Sequence, residues 1–127
     1  MPNNIKTIVH ASWVVPIEPA GICLQDHCVV IDDYGRITSV LPSEAARQKY
    51  PQSQHQELPG QVLLPGLINL HSHAAMTVMR GLADDLPLMQ WLNDRIWPTE
   101  QKHADAEMVY DGTLLACVEM LLGGVTS

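Results

Sequence analysis

Apolar and polar positions alternate with different periods in the two halves of the chain. Residues 5–15 are rich in β-branched side chains and predict one or two short strands, which Pro16 and the run Pro19-Ala20-Gly21 then break. Cys28–Ile31 is a second extended segment. Asp32-Asp33-Tyr34-Gly35 supplies a turn, and Arg36–Val40 alternates polar with apolar, so a β-hairpin is expected here. Residues 42–50 predict a short helix with Ser43 as N-cap and Pro51 as its stop. Residues 51–57 read as polar loop, Leu58-Pro59-Gly60 as a turn, and Gln61–Leu64 as another strand.

Beyond this point the pattern changes. Leu67–Leu70 is an apolar run of the kind buried on both faces in a parallel sheet, and His71-Ser72-His73 follows it. A loop carries Arg80-Gly81 and Asp84-Asp85. Pro87–Ile96 predicts a helix with Leu88, Trp91, Leu92 and Ile96 on one face, interrupted at Pro98-Thr99. A longer helix is expected from about Asp105 to Leu122, with Met108, Leu115, Val118 and Leu122 at core-like spacing and Gly123-Gly124 as C-cap. Val125-Thr126 opens a further strand. The expected architecture is α/β: a small N-terminal β-sandwich-like domain over residues 1–63, then the start of an alternating β/α fold over 64–127. A chain that ends on entering a strand reads as a piece of a longer protein.

Composition narrows the partners. Of 127 residues, 7 are Lys or Arg and 14 are Asp or Glu, a formal net charge of −7. A nucleic-acid backbone or an anionic membrane surface calls for the opposite sign, so neither is expected as a partner; a nucleoside-sized ligand is compatible. The three cysteines are odd in number and no Cys-x-x-Cys occurs. Met1-Pro2-Asn3-Asn4 opens no basic and apolar leader, and the apolar stretch Leu114–Val125 is interrupted by Glu119 and too short for a bilayer span. Reduced thiols in a cytoplasmic protein are expected.

The candidate chemistry lies in His71 and His73. Side chains two apart on a strand point the same way, so two imidazoles can meet one cation. A catalytic zinc takes three protein ligands and a water, and this chain offers no obvious third. Alone, a His-x-His pair is also compatible with a metal-free binding or structural module. Glu100 has two readings, a ligand-binding carboxylate or an acid favoured in the first turn of a helix. Trp91 and Trp97 are pocket walls or core, and Met76, Met79 and Met89 share that ambiguity. Arg80, Asp84 and Asp85 are expected to organise their loop through local hydrogen bonds. His10, His27, His55 and His103 lack partners at ligand spacing and read as surface or structural.

The run Leu64-Pro65-Gly66-Leu67-Ile68-Asn69-Leu70-His71-Ser72-His73 resembles the first-strand signature of the amidohydrolase superfamily. The segment Ala74–Leu92, Trp97-Pro98-Thr99-Glu100 and the helix up to Thr126 resemble its methylthioadenosine/S-adenosylhomocysteine deaminases, in the branch that also holds chlorotriazine hydrolases and guanine deaminase. That resemblance implies a small β-domain followed by a metal-dependent (β/α)8 TIM barrel, incomplete in this chain. It implies His71 and His73 as ligands of one Zn2+ per subunit, with Fe2+ as the alternative metal, and Glu100 as the contact to a ribose diol. The implied reaction is hydrolytic deamination of an adenine nucleoside, with another N-heterocycle (a guanine-like base or an s-triazine) as the alternative. The other ligands and the proton-transferring groups are expected beyond Ser127, so no catalytic residue is expected here besides the metal ligands. A homo-oligomer is left open, and so partial a barrel is not expected to be stable in isolation.

Overall fold

The computed structural model describes residues 5–127 and divides into two compact units, with the boundary between Pro65 and Gly66. The first four residues, assigned above to the N-terminal domain, lie outside the described residues.

The first unit is one mixed sheet with a helix against it, where the strand-rich pattern suggested a sandwich of two sheets. Strands β1 (Ile5–Val14), β2 (Leu24–Asp32), β3 (Ile37–Pro42) and β4 (Gln54–Leu63) pair in the order β3-β2-β1-β4. β2 runs antiparallel to both β1 and β3, and β4 is parallel to β1. Helix α1 (Ser43–Lys49) connects β3 to β4, the crossover that a parallel pairing requires. Its Ala46 is buried with Ile8, Cys28 and Val30, so a helix covers this part of the sheet. Ala11, Val14 and Val29 form a second buried cluster.

The hairpin forms where alternation and turn chemistry predict it. The Asp32 carboxylate accepts hydrogen bonds from the backbone N–H groups of Tyr34 and Arg36, both at 2.9 Å, while Gly35 takes the positive φ of 76° that the turn demands. Two local expectations fail. Ser43 is not an N-cap: Pro42 holds that position, and no side chain bonds to the helix start. The polar stretch 51–57 and the Leu58-Pro59-Gly60 turn are largely strand, because β4 is fixed by pairing with β1 and not by its own hydrophobicity. As an edge strand it tolerates Pro59, and Gly60 (φ 73°) sits where the register shifts, its N–H bonded to Ser12 Oγ at 2.7 Å.

His10 and His55, read above as surface or structural for want of a partner at ligand spacing, form a stacked structural pair with His10 Nε2 2.8 Å from His55 Nδ1. His55 Nε2 lies 3.0 Å from the carbonyl of Tyr50, which can only accept, so Nε2 donates there and Nδ1 is the atom that faces His10. Burial, followed by the positive charge of Arg47, lowers the His10 pKa below its ordinary value. A lowered imidazole pKa means that the unfolded chain takes up the proton first. The contribution of His10 is therefore complete above the unfolded value of about 6.5 and is lost as pH falls from there through the lowered folded value. The denaturant midpoint of this unit should drop as pH falls below about 6.5, less steeply after His10→Leu. Equal slopes in the two proteins would contradict a contribution from buried His10.

In the second unit a 3₁₀ segment (Ala74–Met79) leads to α2 (Leu88–Trp91), a π-helical stretch (Leu92–Ile96), α3 (Trp97–His103) and α4 (Ala106–Leu122). Pro98 does not interrupt the helix as expected. Lacking an N–H and crowding the carbonyl four residues back, it is accommodated by the wider π turn before it. Thr99 Oγ1 caps the Arg95 carbonyl at 2.6 Å. α4 starts at Asp105, whose carboxylate accepts from Met108 N–H at 2.8 Å. It ends in a Schellman motif: Gly124 N–H bonds to Leu121 O at 3.0 Å and Val125 N–H to Met120 O at 2.8 Å, with Gly124 at φ 82°.

Within this chain α4 packs through small residues, and the bulky positions singled out by their spacing lie elsewhere. Leu115, Val118 and Leu122 are exposed, and Gly112 and Ala116 are buried. A Cβ on Gly112 would overlap the backbone of Ala75, so the 3₁₀ segment approaches closely at a residue without a side chain. The Leu67–Leu70 run is likewise not buried: Leu67 makes a single parallel bridge to Val125, and Leu70 is 94% exposed. A strand is buried on both faces only between sheet neighbours and covering helices, and among the described residues this one has the 125–127 segment alone.

Candidate functional site

The backbone entering the site is anchored by three hydrogen bonds: Leu67 N–H to Gly124 O (2.8 Å), Thr126 N–H to Leu67 O (2.9 Å) and Asn69 N–H to Ser127 O (2.7 Å). Gly66 permits this approach, because a Cβ there would overlap the Thr126 side chain. Beyond Asn69 regular pairing ends, and His71 and His73 lie on irregular backbone at a strand end.

The structure brings these two histidines together. Their Nε2 atoms are 3.1 Å apart, with the rings edge to face at 62°. Two nitrogens held at about 2.0–2.1 Å from one tetrahedral cation lie about 3.3 Å apart, so the pair has the separation and donor type a zinc-class ion takes. Both side chains are exposed, which leaves a cation's remaining positions open. Among the described residues no third His, Cys, Asp or Glu joins them.

His73 also lines a cavity of about 750 Å³, together with Met76, Met79, Arg80, Asp84, Trp91, Trp97 and Glu100. This joins residues that the sequence singled out separately; Met89 and Asp85 are not on it. Trp91 is fastened by its indole N–H to the Leu82 carbonyl at 2.9 Å, so it ties α2 to the loop on the opposite wall. Glu100 is half-buried in the first turn of α3. That helix continues from the π stretch through Ile96 in helical conformation, so it has no free N-terminus whose dipole would account for the acid. Among the described residues the Glu100 carboxylate has no protein partner.

Arg80 does not organise its own loop. It makes a bidentate pair with Glu119 on α4, at 2.9 and 2.5 Å, which holds the Glu119 carboxyl below the ordinary range. No local pattern marks Glu119 as this partner, since the two lie 39 residues apart. Asn69 was also missed. Its Oδ1 accepts from His71 N–H at 3.1 Å, an Asx turn that Asn two residues before a chain reversal could have signalled. A second, polar cleft of about 540 Å³ lies in the sheet unit beside His10, Arg47 and Glu57, and contains neither His71 nor His73. All three cysteines are free, and among the described residues no helix is long and apolar enough to cross a membrane.

A model of the amidohydrolase family matches residues 62–127, just over half of the chain. A 5-methylthioadenosine/S-adenosylhomocysteine deaminase of Saccharophagus degradans is 49% identical over 94% of this chain and 26% of its own length. One from Teredinibacter turnerae is 47% identical over 98% of this chain and 28% of its own length. A crystal structure of an adenosine deaminase from Xanthomonas campestris with bound zinc superimposes with a TM-score of 0.81 at 42% identity, covering 99% of this chain and 28% of that one. The chain thus spans about a quarter of the length of the relatives it matches.

Proposed function

The chain belongs to the amidohydrolase family, and from that premise we propose that its protein is a metal-dependent hydrolytic deaminase of adenine nucleosides, with 5′-methylthioadenosine or S-adenosylhomocysteine as substrate. The observation that carries this reading is the convergence of the two Nε2 atoms at 3.1 Å beside a cavity that also holds Glu100. The relatives named for this activity support the substrate class, and the zinc-bound neighbour supports the metal.

In this reading residues 1–63 form the small β-rich domain, and 64–127 contribute the first βα units of a (β/α)8 barrel. His71 and His73 hold the metal, with zinc the expected ion. The chemistry such an ion supplies is activation of water as a nucleophile near neutral pH. The cavity's role is orientation. Glu100 offers two acceptor oxygens, which match the two vicinal hydroxyls of a ribose. Trp91 and Trp97 give flat apolar walls suited to a purine or a thioether. His73 and Glu100 on one cavity would hold the base and the sugar of a single ligand at once.

The test is ammonia release by the intact natural protein, given the nucleosides and the corresponding free base. Turnover confined to nucleosides is expected, and equal turnover of the free base would refute the ribose requirement. Glu100→Gln should raise KM with little change in kcat. Hydrogen bonds to a charged group contribute about 1.5–3 kcal/mol, or roughly 10- to 100-fold. An unchanged KM would remove Glu100 from the ribose.

A further inference from the structure

We propose that Asn69 is a positioning residue for the metal-ligating pair: its side-chain amide, tied to α4, holds the His71 backbone so that the two imidazoles converge. The proposal rests on the reading of His71 and His73 as ligands.

Little else holds His71. Its own side chain is exposed, the preceding Leu70 is 94% exposed, and the ladder to the 125–127 segment has ended at Asn69. The hydrogen bond formed by its backbone N–H goes to Asn69 Oδ1 at 3.1 Å. The same amide donates from Nδ2 to Met120 Sδ on α4 at 3.5 Å, and Asn69 N–H is bound to Ser127 O at 2.7 Å. An amide can accept on one side and donate on the other, and here both capacities are used.

His73 is referenced to α4 by a different route. Its carbonyl accepts from Met76 N–H at 2.9 Å, which opens the 3₁₀ segment, and that segment lies against Gly112 of α4. The two ligands therefore take their positions from one rigid helix, His71 through Asn69 and Met120, His73 through Ala75 and Gly112. Their 3.1 Å separation is set by α4, and Asn69 is the link that fixes the His71 side.

The test is made on the intact natural protein, with zinc affinity read by chelator competition and the ligand-field absorption of the cobalt(II)-substituted form as a geometric signature. Asn69→Leu should weaken zinc binding by about 10- to 100-fold, the loss typical when a group supporting a ligand is removed, and should shift the cobalt spectrum. Asn69→Asp keeps the acceptor for His71 N–H and should restore most of the affinity. Met120→Leu removes the sulfur while keeping the volume, and should lower affinity by a smaller factor even if Asn69→Leu fails to fold. Parent affinity and an unchanged spectrum in Asn69→Leu, or an aspartate variant as weak as the leucine variant, would overturn the proposal alone. His71→Ala separates the two levels: zinc held as tightly as by the parent would remove the ligand reading, and this proposal with it.

Discussion

Replacing His73 with alanine in the intact natural protein is expected to lower kcat/KM by more than about 10³-fold and to leave the purified protein with substoichiometric zinc. The magnitude follows from the chemistry. Metal activation of water provides several kcal/mol of transition-state stabilisation, and each 1.36 kcal/mol is a factor of ten in rate. His73 is the more sensitive of the pair, because it meets His71 across 3.1 Å and also lines the cavity shared with Glu100. The loss should appear in kcat, whereas Glu100→Gln acts on KM, so the two variants divide the site into a reacting end and a binding end. Chelation of the parent should abolish activity reversibly, and added zinc should restore it. Normal activity and full zinc occupancy in His73→Ala would defeat the functional reading.

The second large effect is on stability. Gly112→Val should destabilise the second unit by about 3 kcal/mol or more, at or above the upper end of ordinary overpacking. The added carbon would meet the carbonyl of Ala75, and backbone cannot rotate aside as a flexible side chain can. Either α4 moves off the 3₁₀ segment or the segment bends, and both displace the residues that follow His73. A denaturation midpoint close to the parent's would show that the approach at Gly112 is slack.

The two variants test different parts of the same reasoning, because the sequence revealed the histidines and concealed the glycine. The His71–His73 pair stood out because two imidazoles at His-x-His spacing after an apolar run are a recognisable donor pattern, but their backbone is irregular, so strand alternation alone does not account for their convergence. The hairpin was legible because Asp32 and Gly35 satisfy their turn within four residues. The Asp105 cap and the Gly123-Gly124 stop of α4 are equally local. On α4 itself, bulky apolar positions pointed to a face that is exposed in this chain, which spans about a quarter of its relatives' length. Periodicity identifies where large residues recur, but a close backbone approach selects small ones, and Gly112 and Ala116 lie at the contact.

Pairings across long separations stayed hidden for a related reason. Residues 54–60 of β4 read as polar loop and turn, since their strand character comes from hydrogen bonds to β1 some 47 residues earlier. His10 and His55 meet through that same pairing, and no pattern near either residue foretells it. Arg80 looks like a loop residue until Glu119 arrives on α4.

The sequence by itself determined the Asp32–Gly35 turn and both ends of α4, whose bonds close within about five residues, and it singled out His71 and His73 as candidate ligands. The tertiary structure decided which face of α4 is buried, how Asn69 and Ala75 reference both histidines to that helix, and that Glu100 shares a cavity with His73. The physical reason is range. Turn, cap and strand geometry act between near neighbours, whereas the shape of a site is set by which distant segments can approach, and that depends on the volume of every side chain between them.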